Sequence, residues 1–284
     1  MSRFEEHAEG AGPFTTRVTW RPAGGGTAVW ESRRVRKRGV LDVRAPGEAR
    51  PRERRADVVS RGRLRRLNAV AALAFTVGGA LFALGAALSE HTPVGSASRP
   101  VSVSVYFVGG LFFNTGGYAS LLQAINTPRR DRSSGVLAGR RWRWWSYEPH
   151  RIDWLSTFTL FAGTLVFGVN LLDSFLTGLS AVQTNRLVWA PDMVGCFLFL
   201  ISGHLALVEV CHGRPGIRAR DLGWWIVAVN QLGSVLFLVS ALAAFTRPAT
   251  GSPVNIDIAN WGTFSGALCF CAGGILQFFE RPGA

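Results

Sequence analysis

The chain has 284 residues, of which 48% are hydrophobic, and its formal net charge is +13. A charge of this size suits binding to nucleic acid, binding to anionic lipid or an oriented membrane protein, so the positions of the basic residues decide the class. These residues flank long apolar runs and no nucleic-acid-binding motif is present, which argues against a soluble nucleic-acid-binding protein.

Residues 1–66 form a polar segment that contains 17 of the 31 basic residues, among them Lys37, the only lysine. The basic run at 61–66 is expected to attract anionic lipid at about 1 kcal/mol per charge. The segment is expected to be partly disordered. Alternating residues at 16–20 and 27–30, separated by three glycines, are compatible with a β-hairpin as the alternative.

Six long apolar stretches follow this segment. A helix needs about 20 apolar residues to cross a hydrocarbon core of about 30 Å, and every backbone polar group must be satisfied within it. The predicted spans lie near 67–89, 101–125, 154–178, 188–211, 223–246 and 257–280. The sequence therefore predicts an all-α integral membrane protein with six transmembrane helices, in which residues 67–284 form the membrane domain.

The distribution of basic residues predicts the orientation. The N-terminal segment, the second and fourth connections between spans and the C-terminal tail hold 28 of the 31 basic residues. Arg99, Arg186 and Arg247 are the three on the other side. Because short cytoplasmic loops carry the excess of basic residues, both termini are predicted to be cytoplasmic, in the inner (plasma) membrane.

A G-x-x-x-F motif occurs in all six spans. The pairs are Gly78 and Phe82, Gly109 and Phe113, Gly163 and Phe167, Gly195 and Phe199, Gly233 and Phe237, and Gly266 and Phe270. The spacing of 31 to 33 residues between odd and even glycines predicts three tandem, parallel hairpin repeats, at 67–125, 154–211 and 223–280. Glycines let helix backbones approach closely, so the motif is predicted to pack helices. A lipid or ligand groove is the alternative.

This hairpin pattern resembles the YrhK family of small bacterial membrane proteins, which have two spans. The resemblance covers about 67–280 and implies three such units in tandem. The chain departs from the family pattern at Gly79 and Thr164, where the resemblance implies serine. It implies a membrane hairpin without an assigned activity and carries over no catalytic residue.

Polar residues inside spans are candidates for function because they are costly in hydrocarbon. Interhelical hydrogen bonds of about 0.6–2 kcal/mol are the favoured role of Asn114, Asn170, His204 and Asn230, and a polar pocket on which these residues converge is the alternative. His204 is the only histidine in a predicted span, and Cys269 and Cys271, the thiols that a metal site with it would need, diverge by roughly 200° around their helix. No metal, cofactor or catalytic residue is therefore predicted.

The leading functional hypothesis is a non-enzymatic structural, regulatory or partner-binding bundle. Its expected partners are the lipid bilayer and anionic lipid, and a homo-oligomer or a membrane-protein partner is compatible with the glycine strips. A transporter or channel for a small molecule, lipid or ion is the first alternative, although no proline interrupts a span core. A membrane enzyme is the second, although the sequence assembles no interfacial carboxylate, histidine or cysteine cluster.

Overall fold

The computed structural model describes residues 6–90, 99–131 and 133–280. The connection between the first two predicted spans (91–98), Arg132 and the C-terminal tail with Arg281 lie outside the described residues, so the part they play in the charge asymmetry remains a prediction.

The N-terminal segment folds into a five-stranded antiparallel sheet in the order β1-β2-β3-β4-β5. The strands are β1 Glu6–Ala11, β2 Phe14–Trp20, β3 Thr27–Glu31, β4 Val40–Arg44 and β5 Arg52–Arg55. Strand β2 buries alternate side chains (Thr16, Val18 and Trp20), as the period of a strand requires. Strands β2 and β3 pair around the three glycines as the hairpin alternative expected. We call residues 6–57 the β-domain.

The short helix α1, Ser32–Arg38, connects β3 to β4. It ends at Gly39, which is in the left-handed conformation (φ 63°) and donates its N–H to the Val35 carbonyl. A Cβ at Gly39 would lie 3.2 Å from Arg61 on the following helix. The glycine thus ends α1 and allows the chain to turn back beneath it.

Six long helices form the rest of the fold. They are α2 Val58–Glu90, α3 Arg99–Ile125, α4 Ile152–Asp173, α6 Ala190–Cys211, α7 Leu222–Ala243 and α8 Ile256–Phe279. Helix α5, Ala181–Thr184, and a π-helical turn, Asn185–Trp189, lead into α6. Two short strands, β6 Arg129–Asp131 and β7 Val136–Ala138, pair between α3 and α4. Helix α2 begins nine residues before the predicted span, because hydropathy detects the apolar stretch and not the polar turns before it.

Five of these helices are long and apolar enough to cross a membrane, as expected of a multi-pass membrane protein. The exception is α3, whose serines, glycines, tyrosines and Asn114 dilute its apolar content. The predicted all-α class needs correction in one respect, because the chain is mostly helical but includes the antiparallel sheet. Strand pairing depends on contacts between segments, which the apolar pattern of the spans does not report.

The long helices are arranged as a closed ring. Each helix packs against the next along the chain, and α8 returns to α2. Large apolar side chains point outward and are about half exposed, as on Leu73, Leu111, Phe197, Leu232 and Ile275. Such an exterior suits hydrocarbon, where helix association depends on packing and hydrogen bonds rather than on water exclusion.

Within each pair of sequential helices, the motif glycine of one helix lies against the motif phenylalanine of the other. A Cβ at Gly109 would lie 2.7 Å from the Phe82 ring, and a Cβ at Gly266 would lie 2.5 Å from the Phe237 ring. The reciprocal contacts place Phe113 at Gly78 and Phe270 at Gly233. The α4–α6 pair repeats the arrangement, with Phe199 at Gly163 and Phe167 at Gly195. The missing side chain at each motif glycine therefore leaves the space that the partner's phenylalanine occupies.

The six motif phenylalanines meet in the middle of the ring. Phe82, Phe167 and Phe237 form a triangle with centroid separations of 5.6, 6.3 and 6.3 Å. Phe270 contacts Phe113 at 5.6 Å and Phe199 at 6.2 Å. These separations are in the range that aromatic pairs prefer. We call this group the phenylalanine cluster.

The substitution Gly266→Ala tests the contact between a motif glycine and a motif phenylalanine. We expect it to lower the free energy of unfolding in detergent by about 1–3 kcal/mol, because the added methyl must displace the Phe237 ring. The matched control is Gly62→Ala in α2, where a Cβ would meet no described atom within 4 Å. The control should leave stability unchanged or raise it by up to about 1 kcal/mol. Equal midpoints for the two variants in a denaturant titration would contradict the close packing.

Candidate functional site

Three polar residues occupy equivalent positions at one end of the ring. Gln123, Glu209 and Glu280 each follow the motif glycine of α3, α6 or α8 by 14 residues. All three are buried, with Gln123 at 0% and Glu209 at 1% exposure. The β-domain lies at this end, since the Ala23 N–H donates to the Ser133 carbonyl after α3 and α1 packs against α2 and α6. We call it the domain-bearing end.

Helix α1 inserts basic side chains between the ends of α6 and α8. Arg33 donates twice to the Glu280 carboxylate, from Nε at 2.9 Å and from an Nη at 2.8 Å. Arg36 donates to Glu209 at 2.8 Å, and the Ser32 hydroxyl donates to the same carboxylate at 2.7 Å. The Arg36 and Glu209 side chains are only 5% and 0% exposed. Both glutamates are therefore paired with arginines of α1.

Lys37 is the third basic side chain of α1 that turns inward. Its Nζ donates to the Asn68 side-chain oxygen at 2.9 Å, and Asn68 in turn binds the end of α8 through Gln277. Lys37 is 4% exposed. Burial lowers the pKa of its ammonium well below the usual range, and the positive charge of Arg36 lowers that pKa further. Its charged form is therefore held at a cost.

The first helices of the three pairs, α2, α4 and α7, differ from one another at the position ten residues before the motif glycine. This position is Asn68 in α2, Asp153 in α4 and Gly223 in α7. A Cβ at Gly223 would lie 2.9 Å from the Arg33 Nε and 3.1 Å from the Glu280 carboxylate. Asn68 receives Lys37, and the missing side chain at Gly223 makes room for Arg33. The ring is thus adapted to α1 at two of three equivalent places.

A cavity lies between α1 and the phenylalanine cluster. All six long helices contribute to its lining, and Phe75, Phe199 and Phe270 form part of its apolar side. Its polar lining comprises Arg33, Arg36, Lys37, Ser120, Ser156, Thr157, Ser202, Asn230, Ser234 and Gln277. The space open to the centre of a water-sized sphere is about 100 Å³. Because one ordered water needs roughly 10–15 Å³ by this measure, the cavity has room for several waters or one small ligand.

The cavity has a basic lining. Arg33, Arg36 and Lys37 all line it, whereas Glu209 and Glu280 are absent from the described lining residues. The carboxylates therefore hold the guanidinium groups in place without contributing to the cavity wall. Ser156 and Ser202 each donate their hydroxyl to the other's carbonyl, at 2.9 and 2.8 Å, and join α4 to α6 beside the cavity.

The four polar residues for which a shared pocket was the alternative lie in different places. Asn230 lines the cavity, but Asn114 lies in a lateral groove between α3 and α4. His204 is exposed on the outer surface of α6. Asn170 donates to the Val188 carbonyl at 2.8 Å in the π-helical turn. The alternative of a pocket shared by all four residues is therefore corrected, because only Asn230 of the four lines the cavity. Residue counting gives depth along a helix but not the rotation of the helix.

No group of three or more His, Cys, Asp or Glu side chains among residues 6–90, 99–131 and 133–280 could hold a metal ion. The four cysteines are free thiols. What the arrangement can do chemically is hold a small polar or anionic group close to three cations.

No family model, no curated protein and no solved structure matches this chain. The likeness to the YrhK family stays a prediction from the motif.

Sequence reasoning missed the contribution of α1, whose basic run it assigned only to the charge of the segment. The signal was the apolar Val35 inside that run, together with the glutamates at matching positions in two spans. A basic helix with one apolar anchor and two unpaired membrane carboxylates elsewhere predicts an ion-pair interface. That inference needs the N-terminal segment to be folded.

Removing Arg36 tests the buried ion pair. Arg36→Met should lower the free energy of unfolding by about 3–5 kcal/mol, since Glu209 would remain buried without its cation. Adding Glu209→Gln should recover most of this loss. The control Arg38→Met removes a charge from the same helix, where no ion pair is found in the described structure, and should change stability by under about 0.5 kcal/mol. Equal losses for Arg36→Met and Arg38→Met in a denaturant titration would refute the pairing.

Lys37 should give the protein a specific pH dependence. An unfolded lysine has a pKa of about 10.4, so between the lowered native pKa and that value the unfolded chain binds more protons than the folded chain. The contribution of Lys37 to stability should therefore rise with pH across this interval. The increase in the free energy of unfolding of Lys37→Met over wild type should be largest at the acidic end of this interval and should shrink as the pH rises. A gain that is independent of pH in parallel unfolding curves would show that Lys37 titrates normally.

Proposed function

We propose that the chain is a six-span plasma-membrane protein with cytoplasmic termini, and that it acts without catalysis as a regulatory or partner-binding bundle. In this proposal the β-domain is a cytoplasmic cover that closes the internal cavity. The observation that carries the proposal is the pair of ion bridges, Arg33 to Glu280 and Arg36 to Glu209, at the domain-bearing end of the cavity.

The sixth span in this proposal is α3. Its 27 residues would extend about 40 Å at 1.5 Å per residue, enough to cross the hydrocarbon core. It packs between α2 and α4 in the ring, and it exposes Val101, Val108 and Leu111 on the outside. The chain that follows α3 contacts the β-domain, so α3 leads back to the domain-bearing end.

A cytoplasmic position for the domain-bearing end is supported by its charges and aromatic residues. The basic β-domain and the basic connection after α3 are in contact there. Trp144 and Trp145 in this connection are 65% and 54% exposed. Exposed tryptophan beside arginine suits the headgroup region and anionic lipid of an inner leaflet.

We further propose that the three helix pairs are tandem repeats of a YrhK-like hairpin. Support comes from the shared geometry, because each pair seats two motif rings on two motif glycines and sends both rings to the phenylalanine cluster. Unrelated helix pairs have no reason to share this arrangement. The polar positions at the domain-bearing end have diverged between pairs, which fits repeats adapted to a single cover.

A transporter is the second candidate, and the observation that favours it is the position of the cavity. The cavity lies between two barriers, the phenylalanine cluster on one side and α1 on the other. Alternating access requires a central site that either barrier can expose. A binding bundle would open only towards the cytoplasm.

Access to Ser120 distinguishes these functions. In a background with the four native cysteines replaced by serine, Ser120→Cys places one thiol in the cavity wall. Added to inside-out vesicles, a charged thiol reagent should label it slowly, and the double substitution Arg33→Ala/Arg36→Ala should speed labelling by about tenfold or more. A tenfold faster rate corresponds to a closed state that is less stable by about 1.4 kcal/mol relative to the open state. The control Arg38→Ala should not change the rate.

Right-side-out vesicles give the comparison. A binding bundle should show no labelling from the outside in either variant, whereas labelling from both sides would favour the transporter. Labelling from the outside alone would contradict the proposed orientation. A rate unaffected by the two arginines would contradict the role of the β-domain as a cover.

A further inference from the structure

The cavity wall concentrates positive charge, because Arg33, Arg36 and Lys37 line it from one side. Glu209 and Glu280 bind the two arginines outside the described wall, and Asp221 adds a further negative charge near Arg33. Lys37 is bound to none of these carboxylates, because its one described hydrogen bond is to the neutral amide of Asn68. Burying an unpaired charge is costly, so such a group normally has a partner or loses its proton.

The same side chains have unused donors. The Arg36 Nε is buried and has no hydrogen-bond partner in the part of the chain that the structure describes. The Lys37 ammonium can donate three hydrogen bonds, and its one described acceptor is Asn68. Buried polar groups in folded proteins are almost always satisfied, which points to an acceptor that occupies the cavity.

We propose that the cavity is a binding site for a small phosphate-like oxyanion, held by Lys37 and Arg36 and closed in by α1. This inference rests on the proposed function, because it needs the β-domain to be docked over the cavity. The oxyanion supplies a negative charge beside Lys37 and accepts hydrogen bonds from the unused N–H groups of both side chains. Such charge-assisted hydrogen bonds are the strongest kind in proteins.

The rest of the wall suits an oxyanion of limited size. Ser120 contributes a hydroxyl that forms no hydrogen bond within the described residues, and Asn230 presents a side-chain amide with an unsatisfied oxygen. An amide can present its NH₂ group to an anion after a simple flip. The space of about 100 Å³ admits a phosphate group with a few waters. Phosphate chemistry is shared by the free ion and by a lipid headgroup, and the experiment separates the two.

Lys37 is its own reporter because the chain has no other lysine. Growth on lysine that carries ¹³C at Cε labels Lys37 alone and keeps all its N–H donors, and the full-length protein is then placed in phosphatidylcholine nanodiscs. Titration with inorganic phosphate, against chloride at equal ionic strength, should shift the Lys37 resonance saturably and raise the pKa of its amine. An anion beside the ammonium favours the charged form. A response equal to that in chloride would exclude the free ion as the ligand, and the same result with phosphatidic acid would overturn the proposal.

Thermal unfolding provides a second readout that does not need the label. Phosphate should raise the Tm of the wild-type protein, because a ligand that binds only the folded state stabilises it. Lys37→Met should weaken the apparent affinity about tenfold or more, as expected for the loss of a charge-assisted hydrogen bond. Arg38→Met removes the same charge from the same helix outside the cavity and should bind phosphate as wild type does. Equal weakening by both variants would mean general charge screening and would refute the site.

The remaining outcomes separate the two sources and the two proposals. A Lys37 response to nanodiscs containing phosphatidic acid, with none to free phosphate, would identify a headgroup as the source of the oxyanion. A buried Lys37 that responds to neither would overturn the oxyanion site and leave the cover intact. A Lys37 that titrates and reacts like an exposed amine would show that α1 is not docked, which overturns the proposed function itself.

Discussion

Helices in a bilayer gain little from burying apolar side chains against one another, because the lipid tails are equally apolar. This ring meets that constraint by close packing at one repeated contact, the seating of a phenylalanine ring on a glycine of the partner helix. The contact occurs twice in each helix pair and brings all six motif phenylalanines to the centre of the helix ring. The remaining architecture depends on it, since the phenylalanine cluster bounds the cavity and sets which helix faces point inward.

The buried carboxylates at the domain-bearing end are paired with basic side chains. Glu280 and Glu209 bind Arg33 and Arg36 of α1, and Asp153 of α4 binds Arg151. Buried ion pairs contribute little net stability compared with apolar packing, but removing one partner is strongly destabilising. In this protein the two pairs join α1 to the ends of α6 and α8 and so fix where α1 docks. The same geometry leaves Lys37 facing the cavity without a carboxylate.

The three helix pairs are alike in packing and different in chemistry. The motif phenylalanines and glycines repeat in all three pairs. The equivalent positions at the domain-bearing end differ: they are Asn68, Asp153 and Gly223 on the first helix of each pair, and Gln123, Glu209 and Glu280 on the second. Such a pattern follows when packing is constrained in every pair while a single partner helix contacts only some of them. The asymmetry at the domain-bearing end is where the functional proposals are concentrated.

The sequence by itself determined the long apolar helices and their approximate ends, since hydropathy summed over about 20 residues is a local property. It also determined the G-x-x-x-F positions and the excess of basic residues in alternate connections. Only the tertiary structure decided that residues 6–57 include a sheet, that α1 enters the ring, and that Asn230 lines the cavity while His204 faces outward. These features depend on helix rotation and on contacts such as Arg36 with Glu209, 173 residues apart, which no local pattern encodes.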